Sequence, residues 1–194
     1  MLRLLQQLAI AYQSLSRFDC QRAIEQFRQL PLAQFETGWV QANLARAYFE
    51  SVQYVHAQSV FRHLRRIDPY RNDSLEIYST LLWHLRSRVE LSFLAHELVE
   101  LDRRSPQAWC AVGNCFSLQS EHEQALKCFQ RAIDLEPSYA YAHTLAGHEL
   151  IASEQLDKAQ VCFRNALRVN RRHYNAWFGR VLWTRSKAAN SVPV

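Results

Sequence analysis

Five segments of the chain keep one 34-residue phase from Gly38 almost to the C-terminus. A fixed period of this length constrains the fold more than any other property of the sequence, because each unit then packs only on its neighbours. A small or short side chain recurs at Ala45, Ser79, Gly113 and Gly147. Twelve residues on come Ala57, Leu91, Ala125 and Ala159, and four further Phe61, Ala95, Phe129 and Phe163. Leu64, Leu98, Ala132 and Ala166 complete the set, and no insertion breaks the register between residues 38 and 173.

This pattern resembles the tetratricopeptide repeat, a hairpin of two helices. In Pro106–Tyr139, Trp109, Val112, Gly113 and Phe116 fall on one face of a first helix. Ala125, Phe129 and Ala132 fall on one face of a second, which Pro137 ends. Small residues let the two backbones approach and large ones fill the gaps beside them. The expected organisation is a degenerate repeat over 1–37 and full repeats over 38–71, 72–105, 106–139 and 140–173. A shortened repeat with a divergent tail follows over 174–194. In the first unit the turn near Ser16–Asp19 is expected to be about two residues too long for the repeat. The fold class expected is all-α, a right-handed superhelical solenoid of helical hairpins.

With 4 Gly and 5 Pro in 194 residues there is little room for long loops. No apolar run is long enough to span a membrane, and no secretory leader is expected at residues 1–12. The five cysteines, Cys20, Cys110, Cys115, Cys128 and Cys162, lack metal-ligand spacing and read as reduced packing thiols. Net charge is +5, and seven basic residues with no acidic one lie between Arg164 and Lys187. That edge is expected to meet a protein neighbour; nucleic acid and membrane are not expected partners. Trp39, Phe49, Tyr70 and Trp83 are expected either at exposed inter-repeat edges or buried against the adjacent hairpin.

No catalytic motif, phosphate loop or metal cluster is visible, and no cofactor is expected. His143 and His148, five apart, do not share a helix face. Function is therefore expected from surfaces. The first helices of stacked hairpins line a concave groove, through repeat positions 2, 5, 9, 12 and 13. These are Gln107, Cys110, Asn114, Ser117 and Leu118, then Tyr141, Thr144, His148, Ile151 and Ala152, then Asn175 and Phe178. Amide, hydroxyl and aromatic groups in such a wall suit an extended peptide.

Two functional classes are weighed on that groove. A chaperone-binding carboxylate clamp of the tetratricopeptide type resembles it at Asn114 but not at Cys110, Leu145 or Ala152. A stand-alone peptide-binding adaptor or co-chaperone is the alternative reading. An RNA-processing repeat protein would need base-reading side chains at set positions, and here those positions vary.

Several strings go beyond the repeat consensus: ETGWVQANLARAYFE, EIYSTLLWHL, SPQAWCAVGNCFSLQSEHEQALKCFQRAI, YAYAHTLAGHE and NALRVNRRHYNAWFG. Through them the chain, from near Met1 to about Gly179, resembles the scaffold subunit of the anaphase-promoting complex of the subunit-three, cell-division-cycle twenty-seven type. The resemblance implies a non-catalytic part of a nuclear and cytoplasmic ubiquitin ligase of the cell cycle. It implies sibling subunits as partners, and a groove that receives the Ile-Arg tail of activator proteins, with Asn114, His148 and Asn175 at matching positions. It does not carry self-association, since the family's dimerising N-terminal block has no counterpart here. After Gly179 the sequence departs from the family pattern, with Arg180 at an apolar phase position and Val181 at a small one. A shortened array is expected there, leaving Phe163 and Leu167 less buried than a following hairpin would.

Overall fold

A computed structural model describes residues 2–190, with side chains described from 2 to 187. Met1 of the first expected unit and residues 191–194 of the last lie outside that range. Among the described residues all regular structure is helical. The chain divides into two compact units, Met1–Leu85 and Arg86–Val194.

The first unit holds α1 (Leu2–Ser16), α2 (Cys20–Arg28), the short α3 (Leu32–Phe35), α4 (Gly38–Glu50), α5 (Tyr54–Ile67) and α6 (Leu75–His84). The second holds α7 (Arg88–Leu101), α8 (Pro106–Leu118), α9 (His122–Leu135), α10 (Ala140–Ala152), α11 (Leu156–Val169) and α12 (Tyr174–Asn190). The expected 72–105 repeat thus gives α6 to one unit and α7 to the other. At its aromatic position stands Ala95, where Phe27, Phe61, Phe129 and Phe163 stand elsewhere.

The turns explain why the register holds. First helices end at Ser16, Glu50, His84, Leu118 and Ala152, in steps of 34, and second helices begin four residues later each time. Between them a residue turns left-handed: Phe18, Val52, Arg86, Ser120 and Glu154, with φ between 53° and 64°. At Phe18, Val52, Ser120 and Glu154 the chain then closes the helix end with a long backbone bond, as in Gln53 N–H to the Tyr48 carbonyl (2.9 Å) and Gln155 N–H to Leu150 (2.8 Å). This is the Schellman closure, which satisfies carbonyls that the last helical turn leaves open. Asp19 N–H bonds the Ser14 carbonyl in the same way (3.0 Å). The expectation of an overlong turn near Ser16–Asp19 is therefore corrected: the first unit has the same turn as the others, because Phe18 takes the left-handed conformation without a glycine.

In the α1–α2, α4–α5, α8–α9 and α10–α11 hairpins the core sits between the two helices. Phe27, Phe61 and Phe163 are fully buried and Phe129 nearly so. Each contributes about 2–3 kcal/mol by leaving water. The small residues make this possible. A Cβ on Gly113 would lie 2.3 Å from the Phe129 ring, and one on Gly147 2.6 Å from the Phe163 ring.

A second correction concerns the last hairpin. Phe163 is 0% exposed and Leu167 9%, so neither is left open as expected. The reason is α12. Gly179 brings its backbone against the outer side of Phe163, where a Cβ would lie 2.3 Å from the ring. Trp183 packs on the cluster of Leu150, Ala159 and Phe163, and its indole donates to the Leu156 carbonyl at 2.8 Å. Gly179 thus approaches Phe163 from the following helix, opposite to Gly147, and Arg180 and Val181 are exposed.

Candidate peptide-binding groove

All the expected groove residues lie in the second unit, on α8, α10 and α12. These helices are placed by their neighbours through repeated contacts. At repeat position 4 a side-chain N–H reaches back six residues to a backbone carbonyl. Trp109 donates to Arg103 and Trp177 to Arg171, both at 2.9 Å. His143 Nε2 meets the Pro137 carbonyl at 3.0 Å, and since a carbonyl only accepts, that nitrogen carries the proton. In the first unit Gln41 does the same to Phe35 at 2.8 Å. These bonds pin the start of each first helix to the turn before it.

The exception is instructive. Position 4 of the 72–105 segment is Leu75, which has no donor. There the helix starts late, Ser74 turns left-handed at φ 72°, and Arg71 ties the loop by pairing with Asp68 (2.9 Å) and Asp73 (3.1 Å).

A further tie joins α9 to α10. His122 Nδ1 lies 2.5 Å from Glu149 Oε1, and the Glu149 carboxyl is 7% exposed. A carboxyl removed from water to this degree needs such a partner. Nothing in the sequence pairs residues 27 apart in this way; only the packing of consecutive hairpins does.

The expected wall divides by depth. Cys110 is 0% exposed, Thr144 2% and Asn114 3%, and the Thr144 hydroxyl donates to the Ala140 carbonyl at 3.0 Å. These three, with Leu118, line the inside of the packing rather than the surface. Gln107, Ser117, Tyr141, His148, Ile151 and Asn175 are half-buried, and Ala152 and Phe178 are exposed. Two of them are ordered by rings: His148 meets Phe163 edge-on at 5.2 Å, and Tyr141 meets His173 at 5.9 Å. The arrangement offers ordered, partly open amide, imidazole, phenol and apolar groups from three successive first helices. Of the four large aromatics left open above, Phe49 is buried, Trp83 half-buried, and Trp39 and Tyr70 exposed.

The cysteines form no disulfide. Burial pushes the Cys115 thiol up to about 11, and also raises Cys20, Cys128 and Cys162. They are protonated at neutral pH, which makes them poor nucleophiles. Among the described residues no three His, Cys, Asp or Glu side chains are grouped to hold a metal. No described helix is long and apolar enough to cross a membrane.

Comparison with known proteins fits this geometry. The family described as "Tetratricopeptide repeat" matches residues 106–139 and again 140–173. Protein bimA of Emericella nidulans is 51% identical over 172 residues, which is 89% of this chain and 21% of that protein. Anaphase-promoting complex subunit 3 of Schizosaccharomyces pombe is 49% identical over 165 residues, 85% of this chain and 25% of that protein. The Cell division cycle protein 27 homolog of Homo sapiens is 52% identical over 138 residues, 71% of this chain and 17% of that protein. The chain carries tetratricopeptide repeats and is similar to a part of these subunit-three proteins. It spans between about a sixth and a quarter of the length of these relatives.

Solved structures agree on the fold alone. The Cut9-Hcn1 hetero-tetramer superposes with a TM-score of 0.70 at 16% identity, covering 87% of this chain and 34% of that one. MamA from Desulfovibrio magneticus RS-1 gives 0.60 at 15% identity, covering 88% and 96%. The fold class is all-α and built of tetratricopeptide hairpins.

Proposed function

We propose that this chain is a non-catalytic scaffold segment of the anaphase-promoting complex, a cell-cycle ubiquitin ligase of nucleus and cytoplasm. On this reading the groove of the second unit receives the C-terminal Ile-Arg tail of activator proteins, while other surfaces hold sibling subunits. The mechanism is effective concentration: a tail held in fixed geometry converts later encounters into intramolecular ones.

The observation that carries the reading is the partly open row His148, Ile151, Asn175 and Phe178, in a chain 49% identical over 165 residues to a protein named as a subunit of that complex. Ile151 and Phe178 offer apolar surface to the isoleucine. The Asn175 amide and His148 imidazole offer donors to the tail's carboxylate and backbone. Cys110, Asn114 and Thr144 act from beneath, by setting the spacing of the helices.

Fluorescence anisotropy of a labelled peptide ending in Ile-Arg tests this. Binding is expected to weaken about tenfold on amidating the C-terminus or on Asn175→Ala, a loss of about 1.4 kcal/mol. Equal binding of the amidated peptide, or none by a chain folded by circular dichroism, would contradict it.

A further inference from the structure

α10 packs with little to interlock it. Its buried residues include Ala140, Ala142, Ala146 and Gly147, beside a single large aliphatic, Leu150. Such small side chains let helices approach closely but raise no tall ridges, so shape alone does little to stop the helix turning about its axis. Two polar side chains stand where shape is missing. His143 bonds the Pro137 carbonyl at the start of α10, and the buried Glu149 meets His122 Nδ1 near its end (2.5 Å). α10 cannot turn without pulling this carboxylate away from the imidazole, which leaves a buried acceptor unmet.

The same device recurs one repeat later. The Trp183 indole donates to the Leu156 carbonyl at 2.8 Å. Both ties start at the first residue of a second helix, His122 on α9 and Leu156 on α11, and reach the following first helix 27 positions on. Earlier in the array the position of Glu149 and Trp183 is held by Ala47, Leu81 and Cys115. Side chains long and polar enough to make such a tie thus fall on α10 and α12. These are the two helices that carry His148, Ile151, Asn175 and Phe178.

We propose that His122 and Glu149 are positioning residues for the groove, an inference that rests on the tail-binding reading above. His122 holds Glu149 and so fixes how far α10 is turned about its axis. His148 precedes Glu149 by one residue, about 100° around the helix, and Ile151 follows it by two. The direction in which these two side chains stand is therefore set from the preceding hairpin, by residues that do not themselves line the row. Trp183 acts in the same way on α12, for Asn175 and Phe178. The groove is thus held in register by polar ties between hairpins, where the repeat itself supplies only small residues.

The test uses the whole chain and reads groove geometry and tail binding separately. In nuclear magnetic resonance spectra of the free chain, His122→Ala is expected to move the His148 ring and Ile151 methyl signals and to leave those of Asn175 and Phe178 in place. Trp183→Phe, which keeps a ring and removes the donor, is expected to do the reverse. Binding of the labelled Ile-Arg peptide is measured where circular dichroism shows each variant folded. It is expected to weaken about fivefold in His122→Ala. His122→Asn puts an amide N–H near the place of Nδ1, and is expected to return the signals and to restore binding to within about twofold of the parent. Unmoved signals would overturn the proposal, as would peptide bound as tightly by His122→Ala as by a binding parent. A fall in melting temperature would not rescue it, since the pair would then act on stability alone. Failure of His122→Asn to restore what His122→Ala loses would also overturn it. If the parent binds no peptide while the His148 and Ile151 signals move and return as described, the positioning role stands and the tail-binding reading fails.

Discussion

Trp109 and Trp177 stand 68 residues apart and make the same hydrogen bond, each indole donating at 2.9 Å to the carbonyl six residues before it. The spacing is two repeats, and Gln41 and His143 fill the equivalent positions with other donors. The position is therefore specified by an N–H at the right reach, not by an aromatic. Trp109→Phe keeps an aromatic ring, though a smaller one, and removes the donor. It is expected to cost about 1 kcal/mol in urea unfolding. Loss of less than about 0.3 kcal/mol would show that the indole acts only by packing.

Phe163 is gripped from two sides, by Gly147 in its own hairpin and by Gly179 on the following helix. Gly147→Ala and Gly179→Ala are each expected to lower stability by about 1–3 kcal/mol, because the ring has nowhere to move. The helix-propensity gain of alanine over glycine, about 1 kcal/mol, acts the other way and is outweighed. Pairing either with Phe163→Leu should recover part of the loss. Thermal denaturation of these four variants and of Phe163→Leu alone reads this non-additivity directly.

The left-handed turns hold no glycine. Val52, β-branched at φ 61°, has the least suitable side chain of the five. Val52→Gly is expected to raise stability by about 1 kcal/mol by relieving that strain. Valine 52 is 67% exposed, so little packing is lost in exchange. An unchanged or lower melting temperature would show the turn to be unstrained.

Alkaline pH should weaken the second unit through its thiols. The Cys115 thiol rises from 9.0 to about 11 on folding, so the folded state favours the neutral form. That contribution is complete below pH 9 and is lost as pH rises from 9 to about 11. Melting temperature should fall over this window, and less steeply in Cys115→Ala. Maleimide labelling of the native chain at neutral pH should likewise be slow until denaturant is added.

Much of this architecture is legible in the sequence because one period writes the same contacts many times. Gly113 and Phe129, or Gly147 and Phe163, announce a close helix approach through their spacing alone. The parts that escape are of two kinds. Phe18 hides a regular turn because left-handed residues here carry no glycine signature. Gly179 and Trp183 close the last core from the following helix, by contacts that the quoted repeat positions do not contain. The His122–Glu149 pair is equally silent, since it depends on how one hairpin seats on the next. For the groove, repeat position does not foretell that Cys110, Asn114 and Thr144 are buried while His148 and Asn175 are half-buried. Depth along a wall is set by neighbouring helices, not by repeat position.

The most direct test of the central claim is photo-crosslinking with a peptide ending in Ile-Arg and bearing a benzophenone beside the isoleucine. Crosslinked sites would be mapped by mass spectrometry, with an amidated peptide as competitor. The account predicts adducts on α10 and α12, around His148, Ile151, Asn175 and Phe178, that the free-acid peptide displaces and the amidated one does not. Adducts confined to the first unit, or displaced equally by both competitors, would contradict it.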